Sequence, residues 1–365
     1  MNRPPRADSL DAYKVCRRGD IVFNKMSIRS GAMGVAAEDG LVTYHYEVMR
    51  PCPGTNPHYI MYLMKSSHFT GELIRRERGI GAGGNSGVRT TEVPFSALRT
   101  VDAYIPRPIE QGQIAEYLDR ETGQIDALIA KQERLVEALT ERLDAQWSGL
   151  VAGLERECPI VQLRRVVSSI VDGPFGSSLT SAHYSDSGAR VIRLGNIGVF
   201  EFKSVDEAFI PLEYAAQLGN HAVVAGDVLV AGLGDEKMPL GRATIVPLGL
   251  GPAIVKADCY RVRPTSVLVP EFLAWMLSSP QLREQFRVLS RGSTRSRLNT
   301  AVVREARLAL PPLDEQKAVL KRFVEARQEF VALSVKARQM AEVLMERRQA
   351  LISAAVTGKI DVRGL

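Results

Sequence analysis

No Cys-x-x-Cys pair occurs in the 365 residues. The four cysteines, Cys16, Cys52, Cys158 and Cys259, lie far apart, which excludes a zinc knuckle and a dithiol redox motif. They read as small hydrophobes in a reducing compartment. His45, His58, His68, His183 and His221 show no metal-ligand spacing, so no metal is expected. No apolar stretch approaches membrane-spanning length, and Met1-Asn2-Arg3-Pro4-Pro5-Arg6 lacks the apolar run of a secretory signal. A cytoplasmic chain with no membrane partner is expected. The Asn-Pro-Pro-aromatic and Asp-Pro-Pro-aromatic tetrapeptides typical of amino-methyltransferases are missing as well.

Three motifs that suggest chemistry fail on their context. Gly79-Ile80-Gly81-Ala82-Gly83-Gly84 fits G-x-G-x-x-G, but the charged run Leu73–Arg78 precedes it and polar Asn85-Ser86-Gly87 follows. A dinucleotide site needs a strand before and a helix after. Thr357-Gly358-Lys359 resembles the end of a phosphate loop without the upstream glycine, with Ile360 in place of Ser or Thr; it reads as a helix terminus. Asp235-Glu236-Lys237 has no second acidic position to complete a nuclease site. No catalytic residue is assigned.

What is present is an ordinary globular composition, 45% hydrophobic and 24% charged, with a net charge of +6. That balance mildly favours a polyanionic partner. The length allows two or three domains.

The organising feature is a repeat. Ile105-Pro106-Arg107-Pro108-Ile109-Glu110-Gln111 recurs 205 residues later as Leu310-Pro311-Pro312-Leu313-Asp314-Glu315-Gln316, and residues 106–153 share 14 of 48 positions with 311–358. Each copy opens on prolines and an acid, which suits a helix start. Each continues with apolar residues at helical spacing: Ile114, Leu118, Ile125, Leu128, Leu135 and Leu139, then Val319, Phe323, Phe330, Leu333, Met340 and Leu344. Gly153 and Gly358 are the expected C-caps. Helices over Glu110–Ala152 and Glu315–Thr357 are expected to pair as an antiparallel coiled coil, the alternative being two helices packed separately on their own domains.

Between the helices, residues 159–309 read as mixed α/β. Strands are expected over Val161–Val171 and Arg190–Leu194, a turn at Asp172-Gly173-Pro174-Phe175-Gly176-Ser177, and short helices over Glu271–Leu277 and Leu282–Phe286. The N-terminal segment repeats only the later part of this plan. Gly19-Asp20-Ile21-Val22-Phe23 matches Gly226-Asp227-Val228-Leu229-Val230, and Tyr46–Pro51 resembles Tyr260–Pro264. The first module is therefore expected to lack a counterpart of Pro159 to about Leu212.

Module, proline-led helix, module, proline-led helix: this plan resembles the specificity subunit of type I restriction–modification systems. The resemblance rests on Leu310–Gln316 and its partner Ile105–Gln111, on Arg348–Ile360, on Asp172–Ser177 and on Arg193-Leu194-Gly195-Asn196-Ile197. It implies an α+β fold with two mixed α/β target-recognition domains, the first incomplete, separated by two long helices that form the coiled coil. The implied boundaries are 1–105, 106–155, 156–309 and 310–358, with a tail at 359–365. It further implies a non-catalytic subunit that binds double-stranded DNA at a bipartite target and docks two methyltransferase subunits and restriction (nuclease/translocase) subunits. Those partners would use S-adenosylmethionine, ATP and Mg²⁺, and this chain would bind no cofactor. The alternative is an adaptor that docks methyltransferase subunits but reads only one half-site.

Basic and amide residues in glycine- or serine-rich loops are the candidates for DNA contact. In the second module these are Arg190, Arg193, Asn196, Lys237, Arg291, Arg295 and Arg297; in the first, Lys25, Arg29, Asn85 and Arg89. Pro106, Glu110, Gln111, Pro311, Glu315 and Gln316 are the candidates for partner contact.

Overall fold

The structure is a computed structural model that describes residues 13–28, 31–76, 78–80, 90–92, 95–235, 238–290 and 297–362. The chain divides into two compact units, residues 1–136 with 335–365, and residues 137–334.

Unit 1 begins with five short strands: β1 (Lys14–Cys16), β2 (Ile21–Asn24), β3 (Met33–Val35), β4 (Gly40–Val42) and β5 (Tyr46–Met49). Helices α1 (Pro57–Lys65) and α2 (Ser67–Arg76) follow, then the pair β6 (Arg78–Ile80) and β7 (Thr90–Glu92), and α3 (Phe95–Leu98). The long helix α4 (Pro108–Glu157) enters unit 2. There β8 (Ile160–Gln162), β9 (Val167–Val171), β10 (Ala189–Ile192), β11 (Phe209–Ile210), α5 (Leu212–Gln217), β12 (Ala222–Val223), β13 (Val228–Ala231), β14 (Ala243–Ile245), β15 (Ala253–Val255) and β16 (Cys259–Pro264) lead to α6 (Pro270–Leu277), α7 (Pro280–Leu289), α8 (Thr300–Glu305) and β17 (Arg307–Ala309). Helix α9 (Leu313–Val356) returns to unit 1.

Among the described residues, unit 2 holds two four-stranded sheets, ordered β11-β10-β15-β12 and β14-β13-β16-β9, and the pair β17-β8. The expected single strand over Val161–Val171 is interrupted at the 3-10 turn Leu163–Arg165, because Leu163 turns inward and is buried. The fully apolar Val228-Leu229-Val230-Ala231 is buried on both faces, as a central strand must be. Helix α6 is buried almost throughout, from Phe272 to Leu277.

Unit 1 repeats part of this plan residue for residue. Strand β2 pairs with β5 and β3 in the same register in which β13 pairs with β16 and β14. The β1–β4 pair matches β12–β15. Gly19 and Gly226 both take left-handed φ, 89° and 86°, to enter the central strand. The aspartate after each is tied to an arginine at the end of the neighbouring strand: Asp20 to Arg50 at 3.0 Å twice, Asp227 to Arg263 at 2.7 Å twice. Arg50 and a backbone N–H hold the buried Asp20 carboxyl below its ordinary range. Strands β9, β10 and β11 have no counterpart among the described residues of unit 1.

Each long helix is fastened to its module by the same glutamine. The Gln111 Oε1 accepts from the Asn56 N–H just before α1, and its Nε2 donates to the Pro106 carbonyl. The Gln316 Oε1 accepts from the Val269 N–H just before α6, and its Nε2 donates to the Val267 and Pro311 carbonyls. Both side chains are buried. Leucine at either site keeps the volume and strands these groups, so Gln111→Leu and Gln316→Leu are each expected to cost about 2–3 kcal/mol. The cost should be larger at Gln316, which serves three groups, and chemical denaturation reads the difference.

Within each unit the two long helices run antiparallel. In unit 1 Asp126 meets Arg348 at 2.8 Å, while Glu110 and Ile114 lie beside Val356 and Gly358. In unit 2 the Trp147 ring lies tilted against Phe323, centroids 4.5 Å apart, and Cys158 lies 3.9 Å from Glu315. The seam follows the expected one at its ends and departs from it in the middle. Leu128, Leu135, Leu333 and Met340 are exposed by 39–51%. There the inward line runs one position over, through the half-buried Ile129, Gln132 and Val136 on α4, and through the buried Ser334 and Ala337 and the half-buried Ala341 on α9, while Leu118, Ile125, Leu139 and Leu344 keep their expected places. Small residues there let the helices approach closely, whereas leucines alone mark the most apolar face rather than the nearest one. The alternation of steps of four and three breaks at Leu139-Leu143-Trp147 and at Ala326-Phe330-Ser334, and residues of these two breaks line one small cavity. Such a stutter locally unwinds a supercoil.

Helix ends also differ. Helix α4 continues past Gly153 to Glu157, stopping where Pro159 cannot extend it. Gly358 does cap α9: its φ is 70°, and the Lys359 N–H bonds back to the Ala354 carbonyl at 2.9 Å.

Candidate nucleic-acid interface

Two loop systems of unit 2 carry most of the described DNA-contact candidates. The first joins β10 to β11. Asn196 is fully buried; its Oδ1 accepts from the Arg193 N–H at 2.8 Å, and its Nδ2 donates to the carbonyls of Lys203 and Val205. Both amide hydrogens and one acceptor site are spent on the loop. Arg190 is also buried, donating to Glu207 and to the Ser204 carbonyl and lying 5.6 Å over the Phe209 ring. These two residues shape the loop rather than offering a free edge to a base. Arg193 is partly exposed and pairs with Asp206.

Arg242, which sequence reasoning missed, ties this loop to the next. Its side chain is buried. It donates to four backbone carbonyls: Ile197 at 2.7 Å, Leu233 at 2.8 Å, Leu194 at 3.1 Å and Pro239 at 3.2 Å. Burial lowers its pKa from the ordinary arginine value. The one legible signal was a lone cation opening an apolar strand, a residue type almost never fully buried without a partner. Its counterpart in unit 1 is Ala32.

The second system surrounds a cleft of about 660 Å³ lined by Asp172, Phe175, Tyr260, Arg297, Asn299 and Glu305, with apolar walls from Leu289, Leu298 and Val302. The turn predicted at Asp172–Ser177 forms one side. A Cβ on Gly173 would sit 2.0 Å from the Lys256 backbone, so only glycine fits. The Asp172 Oδ1 accepts from the N–H groups of Gly173 and Asp258 at 2.7 and 2.9 Å. Asp258, itself at a φ of 65°, pairs with Arg297 at 2.8 Å. The Arg297 guanidinium is half exposed and lies 5.9 Å from the exposed Phe175 ring. An aromatic face, a planar cation and paired carboxylates border one opening.

Burial pushes the Asp172 carboxyl up to about 6, against the pull of its two N–H donors. A pKa raised on folding gives stability that is full below the unfolded value near 4 and is lost as pH rises through about 6. Asp172→Asn keeps the acceptor and removes the charge. It is therefore expected to stabilise unit 2 by roughly 1–2 kcal/mol at pH 8 and to be neutral at pH 3.5; urea titrations at the two pH values check this.

In unit 1 Lys25 lies 3.6 Å from Glu47, which also pairs with Lys14. Arg29, Asn85, Arg89, Lys237, Arg291 and Arg295 lie outside the described residues. Among the described residues no group of three or more His, Cys, Asp or Glu is placed to hold a metal, and no helix is long and apolar enough to cross a membrane. The partner-contact candidates face inward at both helix starts: Pro106, Gln111, Pro311 and Gln316 are buried, and Glu110 pairs with Arg107 at 3.0 Å. Exposed apolar side chains lie elsewhere on these helices, in unit 1 at Leu128, Met340, Val343 and Met345.

No family model matches the chain. It is similar to the type I restriction enzyme StySPI specificity subunit of Salmonella potsdam, 22% identical over 178 residues, covering 49% of this chain and 38% of the relative. The EcoKI specificity subunit of Escherichia coli K12 gives 23% over the same length. The MjaVIII specificity subunit of Methanocaldococcus jannaschii gives 21% over 285 residues, 72% of this chain and 62% of that one. The chain thus spans less than two thirds of the length of these relatives. A solved structure described as showing complex assembly and conformational transition of a type I R-M system contains a chain that superposes with a TM-score of 0.66 at 17% identity, over 97% of this chain and 85% of that chain. The chain shares that fold.

Proposed function

We propose that the chain is the DNA-recognition subunit of a type I restriction–modification complex, binding a bipartite duplex target and performing no chemistry itself. The reading takes 1–105 and 156–309 as target-recognition domains, 106–155 and 310–358 as spacer helices, and 359–365 as a tail. The observation that carries it is the module built twice, each copy fastened to the start of a long helix by an equivalent buried glutamine. Two such modules supply one reader for each half of a split target.

On this reading the basic run ending at Arg297, together with Arg193 and Lys237, contacts DNA, chiefly at phosphates. Methyltransferase subunits dock on the exposed apolar side chains of the long helices, and restriction subunits join the same assembly. S-adenosylmethionine, ATP and Mg²⁺ belong to those partners.

The purified chain is expected to bind duplex DNA weakly, with affinity falling linearly in log salt. Arg297→Ala should weaken binding across sequences and reduce the salt slope by about one. Met340→Lys with Val343→Lys should abolish capture of the cognate methyltransferase while leaving the melting temperature unchanged. Salt-independent binding, or methyl transfer by the isolated chain, would overturn the assignment.

A further inference from the structure

Each module sets a corner between two short helices against a long helix, and the space beside that corner is filled differently. In unit 1 the corner joins α1 to α2; in unit 2 it joins α6 to α7. The two match residue by residue. The Thr70 N–H donates to the Ser66 carbonyl as the Arg283 N–H does to that of Ser279, and the Phe69 and Leu282 N–H groups donate to the Ser66 and Ser279 hydroxyls. Lys65 therefore stands at the place of Ser278, Thr70 at that of Arg283 and Gly71 at that of Glu284. On the long helices, Gln349 stands at the place of Asp144 in the 205-residue register.

In unit 2 the space is closed by the chain's own charges. Arg283 lies 3.4 Å from Asp144 and 5.9 Å over the Trp147 ring. Ser278 is buried, and its hydroxyl bonds the N–H and carbonyl of Ala243. In unit 1 the long side chain and the acid are both replaced. A Cβ on Gly71 would meet nothing within 4 Å. A cleft of about 520 Å³ opens there, lined by Lys65, Ser67, Thr70 and Gly71 and by Arg348 and Gln349 of α9. None of the described residues that line it is acidic. Arg348 pairs with Asp126 at 2.8 Å. The Lys65 ammonium is half buried and hydrogen-bonds no acceptor among the described residues. Burial and then Arg348 lower its pKa from the ordinary lysine value, with Asp126 acting against them.

A cation that loses hydration without gaining an acceptor carries a cost that a bound anion offsets. Two cations and two hydroxyls around one opening suit a tetrahedral oxyanion. We propose that this cleft of unit 1 is a phosphate-binding site, with the Lys65 ammonium as its principal donor and Arg348, Ser67 and Thr70 around it. The phosphate comes from a DNA backbone or from a free nucleotide. The site does not rest on the DNA-recognition role, because a phosphate ion alone would occupy it.

The test uses the full chain with inorganic phosphate as the probe, against chloride at matched ionic strength. Acetylation of Lys65, followed by peptide mass mapping, is expected to slow by about tenfold or more in saturating phosphate, as one charge-assisted hydrogen bond requires. Thr70→Arg with Gln349→Asp rebuilds the ion pair of unit 2 and should abolish that protection. Lys65→Met keeps the apolar stem and should weaken phosphate binding, read by calorimetry, by about tenfold or more. A duplex oligonucleotide that protects Lys65, and that loses about one unit of salt slope on Lys65→Met, marks the DNA backbone as the source. Protection by ATP without protection by the duplex marks a nucleotide. Acetylation of Lys65 at the chloride rate in phosphate, ATP and duplex alike would overturn the proposal, and duplex binding in that same experiment would leave the recognition role standing.

Discussion

Phe323→Ala is expected to destabilise unit 2 by about 4 kcal/mol, lowering its melting temperature by roughly 10 °C. The ring is 1% exposed and stands where three elements meet. It packs against Trp147 of α4 at 4.5 Å, Trp275 of α6 at 5.8 Å and Phe200 at 5.8 Å. Truncation removes the transfer energy of a whole aromatic side chain and leaves a cavity whose walls are rigid rings, which relax poorly. Because the same ring joins the helix pair to the module, the loss should appear in both at once, with hydrogen exchange rising together over 143–154 and 270–277. Leu118, its counterpart in unit 1, is buried against a smaller neighbourhood, so Leu118→Ala should cost less, about 3 kcal/mol. Thermal denaturation of the two variants orders them.

Arg242→Met should be nearly as costly, about 3–4 kcal/mol, for an electrostatic reason. Methionine fills the channel but donates nothing, leaving the carbonyls of Leu194, Ile197, Leu233 and Pro239 without their shared donor. A buried carbonyl that loses its partner costs about 1–3 kcal/mol, and partial entry of water keeps the sum below four full penalties. Arg242→Lys supplies a charge but lacks the planar fork that reaches all four, and should fall between. Because both tied loops carry candidate DNA contacts, duplex affinity should drop by about tenfold or more, equivalent to about 1.4 kcal/mol. If Arg242→Met left loop exchange over 194–197 unchanged, the tie would carry no weight.

The features legible in the sequence were those set by local pattern. The 205-residue repeat and the proline-led helix starts were readable, because each depends on residue identities at fixed spacing. The helices themselves run close to the expected spans. What escaped depends on tertiary contact. The ends of the seam were read correctly, but its middle was misplaced by one position at Leu128, Leu135, Leu333 and Met340, where Ser334 and Ala337 are buried instead. Asn196 and Arg190 carry the chemistry of DNA readers, yet the fold spends their polar atoms on its own backbone and on Glu207. Gln111 and Gln316 stood out as repeated polar residues at helix starts, which suited an outward role; only the backbone just before α1 and α6, distant in sequence, shows them turned inward.

Selection of binding sites from a random duplex library, using the chain reconstituted with cognate methyltransferase subunits, puts the recognition role to its hardest trial. A recovered consensus containing a defined sequence element, lost on Arg242→Met, is the predicted result. Recovery of DNA with no sequence preference, from a complex that assembles and binds, would contradict it.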